Sequence, residues 1–178
     1  ARAQLMPQAD GLHAIAANPA DGFGIGLDAG LRTGLGDDMI SIGPVKFFMD
    51  GAMSGETAAL RENYEGSDHP GYLQADAEEL WQRILDTYAS GWSLAVHAIG
   101  DAAVDAAIAY IVEAQTRFGR RAVPNRIEHA GLVHDEHLET LATHGIAVTP
   151  QAAFAEAIGD GMNRSLGPER RRLLYRAK

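Results

Sequence analysis

The sequence predicts an α/β fold with a parallel sheet and outer helices, and three observations carry that expectation. Short apolar runs alternate with amphipathic ones in the order strand, loop, strand, helix, strand, helix, strand, helix, strand, helix. Such alternation implies parallel strands joined by right-handed crossovers. Residues 92–99 are almost continuously apolar, as in a strand covered on both faces. Finally, Lys46, His97 and His129 each sit where an apolar run meets a turn, beside Asp50-Gly51, Gly100-Asp101 and Ala130-Gly131. In parallel α/β folds the carboxyl ends of the strands are where ligands bind. Four or five strand–helix units cannot close an eight-stranded barrel. The chain is therefore either an open sheet or a piece of a larger barrel.

Taken in order, residues 1–7 read as a short strand. Residues 8–36 are rich in Gly and Ala and read as loop and irregular helix. Within them Gly22-Phe23-Gly24-Ile25-Gly26 lacks the spacing of a phosphate loop. Residues 38–49 hold the apolar set Ile40, Ile42, Val45, Phe47 and Phe48, but Pro44 cannot donate to a ladder, so the strand proper starts at Val45. A long polar segment, 51–75, follows, of the kind that is functional or mobile, and its stretch from Ser54 to Leu73 is expected to cover the site. Residues 75–89 form an amphipathic helix, with Asp76 as N-cap, Leu80, Ile84, Leu85 and Tyr88 as its buried face, and Gly91 as its stop. After the 92–99 strand, Asp101 is expected to cap a helix over 102–118 that Gly119 ends. Residues 123–129 are a strand, 135–143 a helix with Gly145 past its end, and 146–149 a strand closed by Pro150-Gln151. A last helix is expected from Ser165 or Gly167, with Pro168 in its first turn.

Composition narrows the functions. With 178 residues, one domain can bury a real core, but a complete (β/α)8 barrel needs about 250. Fifteen basic against 24 acidic residues give a net charge of −9, which argues against nucleic acid or an anionic membrane as partner. No apolar run of transmembrane length exists, and no signal peptide is visible at Ala1. The chain has no cysteine, so disulfides, thiolate nucleophiles and Cys-ligated zinc are excluded. A cytoplasmic location is expected.

Each candidate residue has two readings. His97 is either a satisfied core histidine, bonded to Asp101 or a carbonyl, or a ligand at a strand end. His129 is either paired with Glu128 or Arg126, or a second ligand. Histidines ending adjacent strands lie roughly 5 Å apart along the sheet, close enough to converge on one metal ion. Lys46, flanked by Val45, Phe47 and Phe48, must snorkel or find a partner such as Asp50. Its other options are a Schiff-base amine, an electrostatic anchor, or a metal ligand once carboxylated by carbon dioxide, since an unmodified ammonium cannot ligate a cation. His134-Asp135-Glu136-His137 resembles ligand spacing but is not HExxH, and reads as a solvated helix start. His13, His69 and His144 read as surface histidines. No GxSxG elbow supports a serine hydrolase.

The segments Val45-Lys46-Phe47-Phe48-Met49-Asp50-Gly51-Ala52, Leu94-Ala95-Val96-His97-Ala98-Ile99-Gly100-Asp101-Ala102-Ala103-Val104 and Arg126-Ile127-Glu128-His129-Ala130 together resemble the amidohydrolase superfamily. Within it they resemble amidohydrolase family 3, of the N-substituted formamide deformylase type. The resemblance implies a partial (β/α)8 TIM barrel, about strands 3 to 7, forming one domain over 1–178. The family's small β-sandwich and barrel strands 1, 2 and 8 are expected to be absent. Lys46, if carboxylated, would end the fourth strand and bridge two metals, and His97 and His129 would end the fifth and sixth and bind the second metal. Asp50, Asp101, Arg126, Glu128 and Gln151 would bind substrate or support the ligands. A divalent metal, zinc, would activate water against an amide-type carbon–nitrogen bond of a small molecule. The family's His-x-His pair and its general-base aspartate are missing from the sequence, so no complete catalytic set is expected and the isolated chain is expected to be inactive. Exposed sheet edges lead us to expect a homo-oligomer. The competing readings are an open-sheet α/β protein binding a small ligand without metal, and a non-catalytic scaffold.

Overall fold

The computed structural model describes residues 1–15, 24–151, 153–154 and 159–176. Gly22 and Phe23, the start of the phosphate-loop look-alike, lie outside them. The strands are β1 (Ala3–Leu5), β2 (His13–Ala14), β3 (Ile25–Gly26), β4 (Ile40–Ile42), β5 (Val45–Phe48), β6 (Leu94–Ala98), β7 (Arg126–His129) and β8 (Ala147–Thr149). The helices are α1 (Ala77–Ala89), α2 (Asp101–Phe118), α3 (Asp135–His144) and α4 (Gly159–Arg170).

The organising unit is a four-stranded sheet in the order β5-β6-β7-β8, parallel throughout. Its register sorts the side chains. Lys46 faces Ala95, Phe48 faces His97, and His97 faces Glu128 across the ladder. Paired residues of a parallel sheet project to one face, so Lys46, Phe48, His97 and Glu128 share a face. Val45, Phe47, Leu94, Val96, Ala98 and Ile127 take the other. That second face is apolar and fully covered, packing into one cluster with Leu80, Ile84, Val104, Ala107 and Ile111 of α1 and α2. Trp92 lies at its lower rim with no exposed surface, its indole N–H donating to the Ile25 carbonyl at 3.3 Å. Trp92→Ala is expected to lower unfolding free energy by about 3–5 kcal/mol, read from denaturant midpoints. A loss under about 1 kcal/mol would remove Trp92 from the core.

Most helix signals act as expected. The Asp76 carboxylate caps α1 by accepting from the amides of Glu78 (2.9 Å) and Glu79 (3.4 Å), and α3 ends at Gly145 in the left-handed region. Four expectations need correction. Asp101 is not the cap of α2 but its first helical residue; Gly100 is the N-cap. Residues 38–49 hold two strands, because Gly43-Pro44 breaks the run and β4 turns to pair with β1 in parallel. The last helix begins at Gly159 and is interrupted at Gly167 (φ +74°), where Pro168 restarts it. Segment 51–75 is no loose polar loop. Met53, Ala58, Leu60 and Tyr64 are buried and form a second core with Ile99, Leu132, Met162 and Leu166. The Tyr64 hydroxyl locks that loop by donating to the Ala58 carbonyl at 2.7 Å.

An isolated parallel bridge between Gln8 and Lys46 lays the β1 segment along the free edge of β5. At the opposite edge, all three residues of β8 are exposed. No helix among the described residues is long and apolar enough to cross a membrane.

Candidate metal centre

His97 and His129 stand at the carboxyl ends of β6 and β7, whereas Lys46, expected to end its strand, is the second residue of β5 and lies lower on the face that carries His97. Lys46 and His97 open onto a cleft of about 660 Å³ that Phe48, Gly51 and Arg83 also line. The Lys46 ammonium lies 5.1 Å from the centre of the Phe48 ring, a cation–π contact. Burial draws its pKa below the ordinary lysine value; the nearby Glu128 carboxylate opposes the shift and Arg126 adds to it. Asp50, the partner considered for Lys46, is engaged elsewhere. Its buried carboxylate accepts from the amides of Ala59, Ile99 and Gly100.

His97 places Nε2 at 2.9 Å from the Gly51 carbonyl and 3.3 Å from Asp50 Oδ1. A carbonyl only accepts, so Nε2 carries a proton, and in the neutral imidazole Nδ1 keeps its lone pair. Of the two partners considered for a satisfied histidine, the carbonyl is found and Asp101 is not.

His129 is the least expected of the three. It pairs with Ala98 across the ladder, so strict alternation aims it at the apolar face. Its backbone instead adopts φ +74°, with Ala130 at +44°, and this left-handed kink turns the imidazole back toward the rim. The His97 and His129 rings stand edge to face, 4.5 Å between centres, and Phe154 stacks on the far side of His129 at 5.9 Å. His129 Nδ1 is buried and makes no close hydrogen bond, although the Gln151 side chain stands near enough to act on the ring. Its pKa is lowered to about 4, chiefly by burial, then by the charges of His97 and Lys46; Gln151 and Glu128 act the other way.

This shift fixes a pH dependence for the metal-free chain. The folded value, about 4, lies below the ordinary 6.5, so the unfolded chain takes up this proton first. The stability linked to His129 is fully present above pH 6.5 and is lost as pH falls toward 4. Urea midpoints between pH 4 and 7 are expected to rise with pH, with a shallower rise in His129→Gln. Equal slopes in both proteins would refute the assignment.

The remaining candidates divide. Glu128 is buried and holds Arg126 at 2.5 Å, and Arg126 also reaches Gln4 and Met6. The Gln151 side-chain oxygen is buried without a close hydrogen bond, its nearest polar influence being on the His129 imidazole. Asp101 belongs to another cluster, accepting from His134 Nε2 at 2.9 Å and from the Arg61 amide. His134-Asp135-Glu136-His137 is a helix start exposed at Asp135 and Glu136, as expected, but not at its histidines. His137 is buried and donates through Nε2 to Asp105 at 2.7 Å, while its Nδ1 accepts from the His134 amide. Arg61 grips Asp105 with two nitrogens and Glu136 with a third. Neither Arg61 nor Asp105 stood out in the sequence. Asp105 stands one helical turn after Asp101, a usable signal, but nothing local marks Arg61. His13 and His69 are surface residues beside Asp28 and Glu56, as expected.

The donor set suits a divalent transition metal. An orphaned imidazole nitrogen on His129 and a free lone pair on His97 lie on adjacent strands, with an amine of lowered pKa on the face that carries His97. Imidazole nitrogen is a zinc-type ligand. Among the described residues no three His, Cys, Asp or Glu side chains are gathered to hold a metal.

Comparison with known proteins adds the family context. The sequence model described as the amidohydrolase family matches residues 14–178. YtcJ of Bacillus subtilis (strain 168), named as an amidohydrolase, is 31% identical over 137 residues, covering 76% of this chain and 25% of that protein. Crystal structures of uncharacterized metal-dependent hydrolases from Pyrococcus furiosus and Pyrococcus horikoshii OT3 superpose with TM-scores of 0.70 and 0.68, at 32% and 33% identity. Each superposition covers 83% of this chain but only 30% and 29% of the other. The chain spans about a quarter of the length of its curated relative.

Proposed function

The chain belongs to the amidohydrolase family, and from that premise we propose that it carries part of the site of a metal-dependent hydrolase acting on amide-type carbon–nitrogen bonds of small, non-peptide molecules. The observation that supports this most is the His97–His129 pair, held 4.5 Å apart with an unpartnered nitrogen on His129. His97 and His129 would hold the metal, zinc by the chemistry of the donors, and Lys46 would join them once carboxylated. When bound, the metal polarises a carbonyl oxygen and lowers the pKa of water.

The chain's own residues prepare that chemistry. Burial of Lys46 favours its neutral amine, the form that adds to carbon dioxide; the new N–C bond leaves a carbamate and releases a proton to water. The same burial keeps His129 neutral and its lone pair available. Phe48 and Phe154 flank the two imidazoles and limit the approach of water. The buried Gln151 oxygen offers an acceptor for a substrate N–H. Glu128 holds Arg126 in place on the face that carries His97.

We read the sheet as about strands 3 to 7 of a (β/α)8 barrel within one domain. The bridge from Gln8 to β5 supports this reading, since it extends the parallel order by a further segment. The exposed β8 edge, with exposed Leu5, Met39 and Ile40, supports self-association through the open sheet.

Metal analysis and an amide-hydrolysis assay with added zinc test the proposal. Zinc is expected to be retained, with no robust turnover by this chain alone. Loss of all zinc on dialysis would favour the metal-free ligand-binding reading, and robust turnover would overturn the partial site. A monomer by light scattering at high concentration would count against self-association.

A further inference from the structure

We propose that Asp50 is a positioning residue whose single carboxylate fixes the protonated edge of His97 and seats the 51–64 loop, so that ligand and loop are held as one unit. The proposal deepens the reading of His97 as a ligand, on which only its metal arm rests.

Asp50 is 1% exposed and its side chain has no accessible surface, so it touches no substrate. A buried carboxylate without partners is costly, and no Lys or Arg pairs with this one among the described residues. Its partners are donors from three places. Oδ2 accepts from Gly100 N at 2.8 Å and from Ala59 N at 3.0 Å, and Oδ1 accepts from Ile99 N at 3.0 Å. Oδ1 also lies 3.3 Å from His97 Nε2. Two of the three amides directly follow β6, which carries His97, and the third belongs to the loop. The hydrogen bond of the His97 proton goes to the carbonyl of Gly51, the next residue along the chain, and the Asp50 carboxylate stands beside that proton without bonding it. Carbonyl and carboxylate therefore move together, and both favour the Nε2–H form that leaves Nδ1 free. The fit is tight: the Ala59 carbonyl sits where a Cβ on Gly100 would stand. In Asp50→Asn one oxygen becomes an NH₂ group, which must oppose a backbone or imidazole N–H.

The test uses the metal-free wild type and Asp50→Asn, with two readouts besides metal. Nitrogen-15 spectra of the imidazoles are expected to show His97 as the Nε2–H form in wild type and as a mixture in the variant. Amide exchange at Ala59, Ile99 and Gly100 is expected to be slow in wild type and at least about tenfold faster in the variant, as for loss of a hydrogen bond to a charged group. Zinc titration is expected to show a loss of about 10–100-fold in affinity. If wild type holds both metal-free readouts and the variant loses them but zinc binds neither, the positioning role stands and the metal reading fails. If the variant does not fold, wild type still decides: a His97 Nδ1–H form, or fast exchange at the three amides, overturns the proposal. An unchanged tautomer and unchanged exchange in a folded variant overturn it as well.

Discussion

Alanine at both His97 and His129 is expected to reduce zinc affinity by more than the 10–100-fold that follows loss of an outer partner, down to the level of unspecific surface binding. The two imidazoles are the nitrogen donors of the proposed site, on adjacent strands with ring centres 4.5 Å apart. Lys46 becomes a ligand only after carboxylation, and a lone carbamate cannot hold a divalent ion against water. Each single variant is expected to fall between the double variant and wild type. Equilibrium dialysis with metal quantification reads the effect, and stoichiometric zinc in the double variant would move the site elsewhere. The mutated side chains stand on the rim rather than in the covered core, so circular dichroism is expected to report an intact fold.

The second large effect is steric. Gly100→Ala is expected to destabilise the fold by about 3 kcal/mol or more, at the upper end of overpacking penalties. The added methyl would lie 1.9 Å from the Ala59 carbonyl oxygen, 2.5 Å from its carbon and 2.8 Å from its nitrogen. These are backbone atoms, and no rotamer change can clear them. Gly100 has φ −73°, which alanine tolerates, so the whole penalty comes from crowding. Gly11 provides the contrast, since nothing lies within 4 Å of the point where an added methyl would stand; Gly11→Ala is expected to change stability by less than about 0.5 kcal/mol. Comparable denaturation midpoints for the two variants would show that the loop yields. Because Ala59 also donates to Asp50, the Gly100 variant should loosen the His97 environment too.

The repetitive part of this fold is written plainly in the chain. The apolar runs that hold Lys46, His97 and His129 became β5, β6 and β7, and Asp76 capped α1 because its carboxylate meets two free amides whatever else surrounds it. What escaped depends on distance or on backbone rotation. β1 and β4 have three residues each and find one another across about 35 intervening residues, too little pattern for periodicity to register. α4 begins in Gly-Asp-Gly, poor helix formers, and its position comes from Met162 and Leu166 docking under Tyr64. Arg61 reaches Glu136 from 75 residues away, so a helix start that is solvated at Asp135 and Glu136 is nonetheless tied to a distant loop. At the site, the sequence shows which residues reach the rim. It does not show that His129 must rotate its backbone to do so, since nothing in Glu128-His129-Ala130 announces a positive φ.

That rotation sets stability against ligation. A left-handed conformation costs a residue with a side chain roughly 1–2 kcal/mol, and here two in succession, His129 and Ala130, adopt it. Glycine at position 129 would relax the strain and delete the imidazole in one step. A variant library ranked by heat resistance alone would therefore drift toward glycine at this position and discard the ligand, while a library ranked by metal retention would keep the less comfortable backbone.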